Sequence, residues 1–233
     1  MLLKIYNTLL KTYGYQGWWP LLSCKGTNPT KTGSMRGYHP GDYSYPKNNL
    51  QKFEIIIGTI LTQNTSWQQA EKALINLNTI NALSPSAIIS LDSRMLRSAI
   101  KPAGYFNQKA SYLKNAARFF ILLDNKAPAR DELLAVKGIG PETADSILLY
   151  AYSQPEFVID AYTKRIFSHL EIIKREDNYP MIKQLFENNL PKDYKLYQEY
   201  HALLVEHAKR CYARKPYDDK LLGRYAKKRN YEL

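Results

Sequence analysis

The chain has 233 residues, with 33 Lys and Arg against 21 Asp and Glu, so its formal net charge is +12. An apolar share of 45% with 19 tyrosines excludes a disordered chain and supplies a sizeable core, in one large domain or two small lobes. Apolar runs such as Ile55-Ile56-Ile57 and Phe119 to Leu123 are too short to span a bilayer, and Cys24 and Cys211 cannot build a disulfide framework or a four-cysteine metal site.

The first residues, Met1-Leu2-Leu3-Lys4-Ile5-Tyr6, lack a charged lead before a signal-length apolar core. The expectation is therefore a soluble, cytoplasmic, nucleoid-associated protein with no membrane association, whose partner is a polyanion, most simply nucleic acid. Charge alone does not decide this, because Lys and Arg also solubilise surfaces.

In chain order, Leu2, Leu3, Tyr6, Leu9, Leu10 and Tyr13 give an amphipathic helix over 2–13, stopped at Gly14. Residues 14–50 carry six of the eleven glycines and four of the twelve prolines and read as a long, turn-rich loop. From Phe53 the period is helical, through Ile56, Ile57, Ile60 and Leu61, then Trp67, Ala70, Ala73, Leu74 and Leu77. Ser84-Pro85 is a helix start. A short helix follows around Met95 to Ile100, and a longer one over 108–123. Phe157-Val158-Ile159 is the one short strand signal. Helices are expected near 161–170 and 180–189, and a long one over about 194–212. The fold class is all-α.

The segment Leu133 to Ala144 is the most informative. One short helix stops at Gly138 and another starts at Pro141, burying Ala144, Ile147 and Leu148. Glycines on either side of Ile139 allow a tight turn that exposes backbone amides, and these amides, with the new helix's N-terminus, suit a phosphate. Ile139 would pin the turn to the core. A bare Gly-x-Gly also serves as an ordinary packing corner. In this strongly basic chain, the full string from Leu133 through Gly138-Ile139-Gly140 to Thr143-Ala144 reads instead as a helix-hairpin-helix that grips DNA backbone without reading sequence. Downstream, Asp160 follows an apolar run and precedes a helix. Capping that helix is a sufficient role for it. The same place keeps a carboxylate ionised, able to oppose positive charge developing on a sugar.

Hairpin and aspartate together resemble the helix-hairpin-helix DNA glycosylase superfamily, whose best-known member is endonuclease III, from about Phe53 to Pro216. Leu61-Thr62-Gln63-Asn64-Thr65 is similar to the family's first-helix motif, whose glutamine probes DNA. Gly104-Tyr105-Phe106-Asn107-Gln108-Lys109-Ala110 is similar to the loop that inserts a wedge into the base stack. His201-Ala202-Leu203-Leu204 through Arg210-Cys211 to Pro216 resembles the approach to the family's iron–sulfur cluster. In bifunctional members the hairpin carries a lysine that attacks the sugar; here that position holds Glu142, which cannot form a Schiff base, and a negative residue in a helix's first turn is a sufficient account of it. Cys211 sits at the first cluster cysteine, Asp218 at the second, and none follows, so the expectation is no cluster, metal or cofactor.

Gly17-Trp18-Trp19-Pro20 with Lys52-Phe53-Glu54 looks like the 3-methyladenine DNA glycosylase III group and its endonuclease III-related relatives. That resemblance implies a base pocket in which Trp18 and Phe53 sandwich the flipped base, with Trp19 and Pro20 shaping the wall. It also implies DNA contacts from Gln63, Tyr105, Lys137, Gly138, Ile139, Gly140, Thr143 and Lys164, with Asp160 stabilising an oxocarbenium-like sugar. A C-terminal set, Lys209, Arg210, Arg214, Lys215, Arg224, Lys227, Lys228 and Arg229, would add phosphate contacts. A helical barrel over 52–150, ending in the hairpin at 133–150, would face a second lobe made of 1–51 and 151–233. The implied activity is a monomeric, monofunctional glycosylase of base excision repair acting on damaged double-stranded DNA, with alkylated purines, 3-methyladenine first, released after base flipping. Rival readings are a mismatch-specific or oxidised-base glycosylase, a lyase drawing an amine from Lys137 or Lys164, and a non-catalytic DNA-binding module indifferent to Asp160.

Overall fold

The computed structural model describes residues 1–31 and 36–226. Among these, eleven α-helices and no strand are formed; one isolated bridge joins Thr27 and Arg36. No helix of the described residues is long and apolar enough to cross a membrane.

Helix α1 (Leu2–Tyr13) buries Leu2, Ile5 and Leu9 and ends at Gly14. It packs on α11 (Tyr194–Cys211) and, less extensively, on α10 (Tyr179–Asn189). The centre of the other helices is α2 (Asn49–Leu61), capped by the Asn48 side chain and buried from Phe53 to Leu61. Its apolar surface runs all round, as expected for a helix enclosed by others. It contacts α3 (Trp67–Thr79), α6 (Phe106–Leu122) and α8 (Pro141–Tyr152). Short helices α4 (Pro85–Ser90) and α5 (Ser93–Ala99) pack on α6. Ser84 accepts the Ala87 amide, and Asp92 accepts those of Arg94 and Met95, which fixes both starts.

Helix α7 (Arg130–Leu134) leads into the hairpin before α8. Phe157, Val158 and Ile159 are buried but form no strand among the described residues, a departure from the strand signal in the sequence. Tyr179 and Glu187 of α10 satisfy this segment instead: the Phe157 amide donates to Glu187 at 2.9 Å and the Ile159 amide to the Tyr179 hydroxyl at 3.4 Å. The segment delivers Asp160 to the start of α9 (Ala161–His169). Beneath it, buried Asp145 on α8 accepts from Arg130 at 2.6 Å, Lys183 at 2.9 Å and Tyr179 at 2.8 Å, tying α7, α8 and α10 together. A buried carboxylate needs such a full shell.

The loop of residues 14–48 is held by two buried glutamates. Glu199 on α11 accepts the Gln16 amide at 2.6 Å and the Tyr43 hydroxyl at 2.8 Å, and Glu54 on α2 accepts the Leu22 amide at 2.6 Å. Trp18 and Trp19 lie between these anchors. His39 adds a third tie, bonding the Trp19 carbonyl at 2.9 Å.

Candidate active site

A cavity of about 410 Å3 opens where α2, α3, α8, α9 and α11 converge. Trp18, Trp19 and Trp67 form its aromatic corner, and Glu142, Asp160, His201 and Lys209 bring its charged and titratable groups. Gln63, Thr143, Ser146 and Tyr162 are also in the wall.

Trp18 is half-buried and meets Trp67 edge-on at a centroid distance of 4.9 Å; Trp19 is buried and meets Trp67 at 5.4 Å and Tyr150 at 5.5 Å. A Cβ on Gly58 would lie 3.0 Å from the Trp19 ring, so glycine there lets the indole lie against α2. Two of the expected wall residues are elsewhere. Phe53 is fully buried against Phe120 at 5.3 Å and does not line the cavity, because it shares the core face of α2 with Ile56, Ile57 and Ile60. Pro20 is buried beside a separate hollow under Leu21 and Leu22. The aromatic that does reach the cavity from α3 is Trp67, which sequence periodicity assigned only to a helix face. Its position directly after the Ser66 N-cap, where α3 has only begun to bury a face, was the available signal.

Asp160 is buried and caps α9, accepting the Thr163 amide at 2.7 Å, with His201 Nε2 at 3.6 Å from its other oxygen. Burial on its own pushes this carboxyl up, but the His201 hydrogen bond and charge, with the Thr163 amide, outweigh it and hold the group below the usual carboxylate range. His201 is itself fixed by the Tyr150 hydroxyl, 2.7 Å from Nδ1. Burial raises the Tyr150 phenol well above its ordinary value, so it stays protonated. The sequence offered His201 only as the start of the segment resembling the cluster approach; the structure places it in the cavity beside Asp160 instead.

Glu142 sits in the first turn of α8, exposed at the cavity's mouth. The surrounding protein and the Asp160 charge raise it to about 7, against the lowering effect of His201 and Lys164. In the hairpin, Gly138 has φ +107° and a Cβ there would strike the Tyr112 ring at 2.2 Å, so only glycine fits. Ile139 is buried beneath the turn, Gly140 faces open space, and Lys137 is exposed. Gln63 bonds the Gly138 carbonyl at 2.9 Å and Thr143 Oγ1 at 3.0 Å, tying the end of α2 to the hairpin. Tyr105 is 66% exposed in the left-handed region with φ +46°. Next to it, buried Lys109 donates to the Leu61 and Ala103 carbonyls, both at 2.8 Å, which locks the Tyr105 loop to the Gln63 loop. Lys164 is half-buried on α9.

In the C-terminal cation set, Lys209 lines the cavity, Arg210 pairs with Glu206 at 2.6 Å and Arg224 donates to Thr8. Arg214 and Lys215 are exposed; Lys227, Lys228 and Arg229 lie outside the described residues. Beyond α11 the chain is fastened by buried Asp219, which bonds His207 at 2.9 Å, Tyr212 at 2.6 Å and the Leu222 amide at 2.8 Å. His207, Cys211 and Asp219 come close enough to share an ion. A single thiol does not suit an iron–sulfur cluster, however, and the imidazole and carboxylate already bond each other.

The chain matches the HhH-GPD superfamily, described as base excision DNA repair proteins, over residues 57–192. It is 41% identical over 221 residues to a Methanocaldococcus jannaschii protein whose name provisionally describes a DNA repair glycosylase, covering 90% of this chain and 88% of the relative. It is 34% identical to the endonuclease III of Sulfolobus acidocaldarius over 74% of this chain and 79% of that one. Among solved structures it is similar to the H. pylori 3-methyladenine DNA glycosylase bound to 1,N6-ethenoadenine, at TM-score 0.63 and 26% identity, covering 89% of this chain and 95% of that one. A trapped endonuclease III–DNA covalent intermediate shares the fold at TM-score 0.73 and 17% identity, over 98% of both chains. Hairpin, capping aspartate and family match together show that the chain belongs to the HhH-GPD superfamily of base excision DNA repair proteins and is one of its DNA glycosylases.

Proposed function

We propose that the chain is a monofunctional glycosylase that releases alkylated purines, 3-methyladenine first, from damaged double-stranded DNA, acting as a monomer. The observation that carries this reading is the tryptophan corner on the same cavity as Asp160. An N3-alkylated adenine is cationic, and an electron-rich indole face attracts it by about 0.5–2 kcal/mol beyond what a neutral base gains. Trp18 and Trp67 supply that face, with Trp19 behind them. The similar H. pylori protein, named for 3-methyladenine and bound in its structure to 1,N6-ethenoadenine, supports a damaged adenine as the substrate class.

Residues 52–150 act as the lobe that carries the hairpin, with 1–51 and 151–233 as the other. The exposed amide turn at Gly138 to Gly140 takes a phosphate, with Thr143 and Lys137 beside it and Lys164 on the neighbouring helix. Tyr105, left-handed and projecting, fills the space a flipped base leaves, and Gln63 contacts the base opposite. Flipping costs a few kcal/mol of unstacking. The alkylated base departs as a neutral molecule, and Asp160 faces the oxocarbenium-like sugar and orients the attacking water. Glu142 holds the hairpin position from which bifunctional members direct their lysine at the sugar.

The test is base release from methylated duplex DNA, with freed bases separated chromatographically, comparing wild type with Asp160→Asn. Release of 3-methyladenine by the wild type is expected, lowered by orders of magnitude in the variant while duplex binding persists. Equal release by both proteins would remove Asp160 from the reaction, and no methylated base from either would remove the alkylpurine reading.

A further inference from the structure

The cleft holds two carboxylates that the fold treats in opposite ways. Asp160 accepts the Thr163 amide and faces His201, contacts that favour its charged form. Glu142 lines the same cavity, and its carboxyl group has no hydrogen-bond or ion-pair partner among the described residues. Two acids that line one cavity oppose each other's ionisation; with Asp160 held charged inside, Glu142 at the mouth keeps its proton to higher pH. The groups acting on Glu142 are Asp160, which favours the proton, and His201 and Lys164, which oppose it; Lys209 and Tyr162 complete the titratable lining. Loss of solvation against the surrounding protein is the larger cause, Asp160 adds to it, and together they raise Glu142 to about 7 against the two cations. Carboxyl groups whose environments push them apart in this way divide into an acid and an anion.

We propose that Glu142 is a catalytic acid that protonates the departing base on a ring nitrogen, so that this site releases uncharged damaged purines as well as cationic ones. The inference deepens the reading of this cleft as a base-release site with Asp160 at the sugar, and rests on it. A cationic alkylpurine needs no such proton. An uncharged purine would leave as an anion unless a proton reaches N3 or N7 while C1′–N9 breaks. In that step the C1′–N9 electron pair goes to the base, the Glu142 carboxyl proton goes to the ring nitrogen, and Asp160 faces the sugar cation. Water adds at C1′, and the proton it loses restores the Glu142 acid by way of solvent. The sum is hydrolysis.

The probes are duplex DNA carrying one hypoxanthine, an uncharged purine lesion, and methylated duplex DNA as the source of cationic 3-methyladenine. Single-turnover release is followed for wild type and Glu142→Gln across pH 5.5 to 9. The wild type is expected to release both bases, and its hypoxanthine rate to fall as pH rises through about 7. In Glu142→Gln the ratio of hypoxanthine to 3-methyladenine release should drop about 100-fold or more, the ordinary yield of general acid catalysis, and the alkaline fall should vanish. Glu142→Asp, which keeps an acid, should keep that fall at a lower rate. Parallel loss of both bases in Glu142→Gln, or a wild-type hypoxanthine rate flat through pH 7, would overturn the proposal. Release of 3-methyladenine but not hypoxanthine by the wild type removes this proposal and leaves the alkylpurine reading. Release of hypoxanthine alone removes the alkylpurine reading, overturns the claim that one site serves both classes, and keeps only the acid role of Glu142.

Discussion

At the scale of single residues, the site depends on how one carboxylate is kept charged in a buried place. Asp160 loses solvation but gains the Thr163 amide and His201, whose far nitrogen is fixed by Tyr150. Because the folded Asp160 lies below its ordinary value, it stabilises the fold above the unfolded carboxylate range, and that contribution is lost as pH falls through the folded value. With Asp160 in its proposed place at the sugar cation, which calls for the charged form, the same shift would set the acid limb of base release. His201→Ala removes the largest lowering influence, so the acid limb of single-turnover base release should move toward neutrality. Tyr150→Phe, which only loosens the imidazole, should move it less in the same direction. An acid limb unmoved in His201→Ala would mean that the capping amide alone keeps Asp160 ionised.

At the scale of elements, legibility followed what each residue's neighbours in sequence could say. Asp160, Ser84 and the turn at Gly138 were readable because capping and tight turning are local chemistry, decided within a few residues. Phe53 and Trp67 were not separable, because an aromatic on a helix face packs inward or lines a cavity according to which helix lies opposite. Residues 14–50 read only as a long, turn-rich loop because their ties are distant: Glu54 and Glu199 each lie mid-helix, where a glutamate reads as surface. Burial raises Glu54 to about 7 and Glu199 to about 6. Groups raised in the fold favour it fully at low pH, and that favour is lost as pH rises through their folded values. Glu54→Gln keeps an oxygen for the Leu22 amide without the charge. Its unfolding free energy should therefore match wild type near pH 4.5 and exceed it at pH 8, by a few kcal/mol at most at about 1.4 kcal/mol per pKa unit, read as a higher thermal midpoint. Glu54→Ala leaves the amide unpaired and should lose about 1–3 kcal/mol near pH 4.5, a deficit against wild type that shrinks as pH rises. A Glu54→Gln midpoint below wild type at pH 8 would show that the ionised carboxylate is the better anchor.

At the scale of the molecule, a net charge of +12 promises affinity for a polyanion without saying where. The structure separates cations that already have work inside the protein from those free to meet phosphate. Arg130 and Lys183 serve Asp145, Lys109 serves two carbonyls, Arg210 serves Glu206 and Arg224 serves Thr8. Lys137, by contrast, is exposed beside the hairpin turn, and among the described residues only its backbone carbonyl is engaged, by Asn115. Each phosphate neutralised releases condensed counterions, giving a slope of about −0.9 per contact in log affinity against log salt. Wild type binding undamaged duplex should show a slope of several. Lys137→Ala should reduce its magnitude by about 1 and weaken binding alike on every sequence, whereas Arg224→Gln should leave the slope unchanged. A slope insensitive to Lys137 would detach the hairpin from the phosphate backbone and move the DNA-gripping surface elsewhere on this basic molecule.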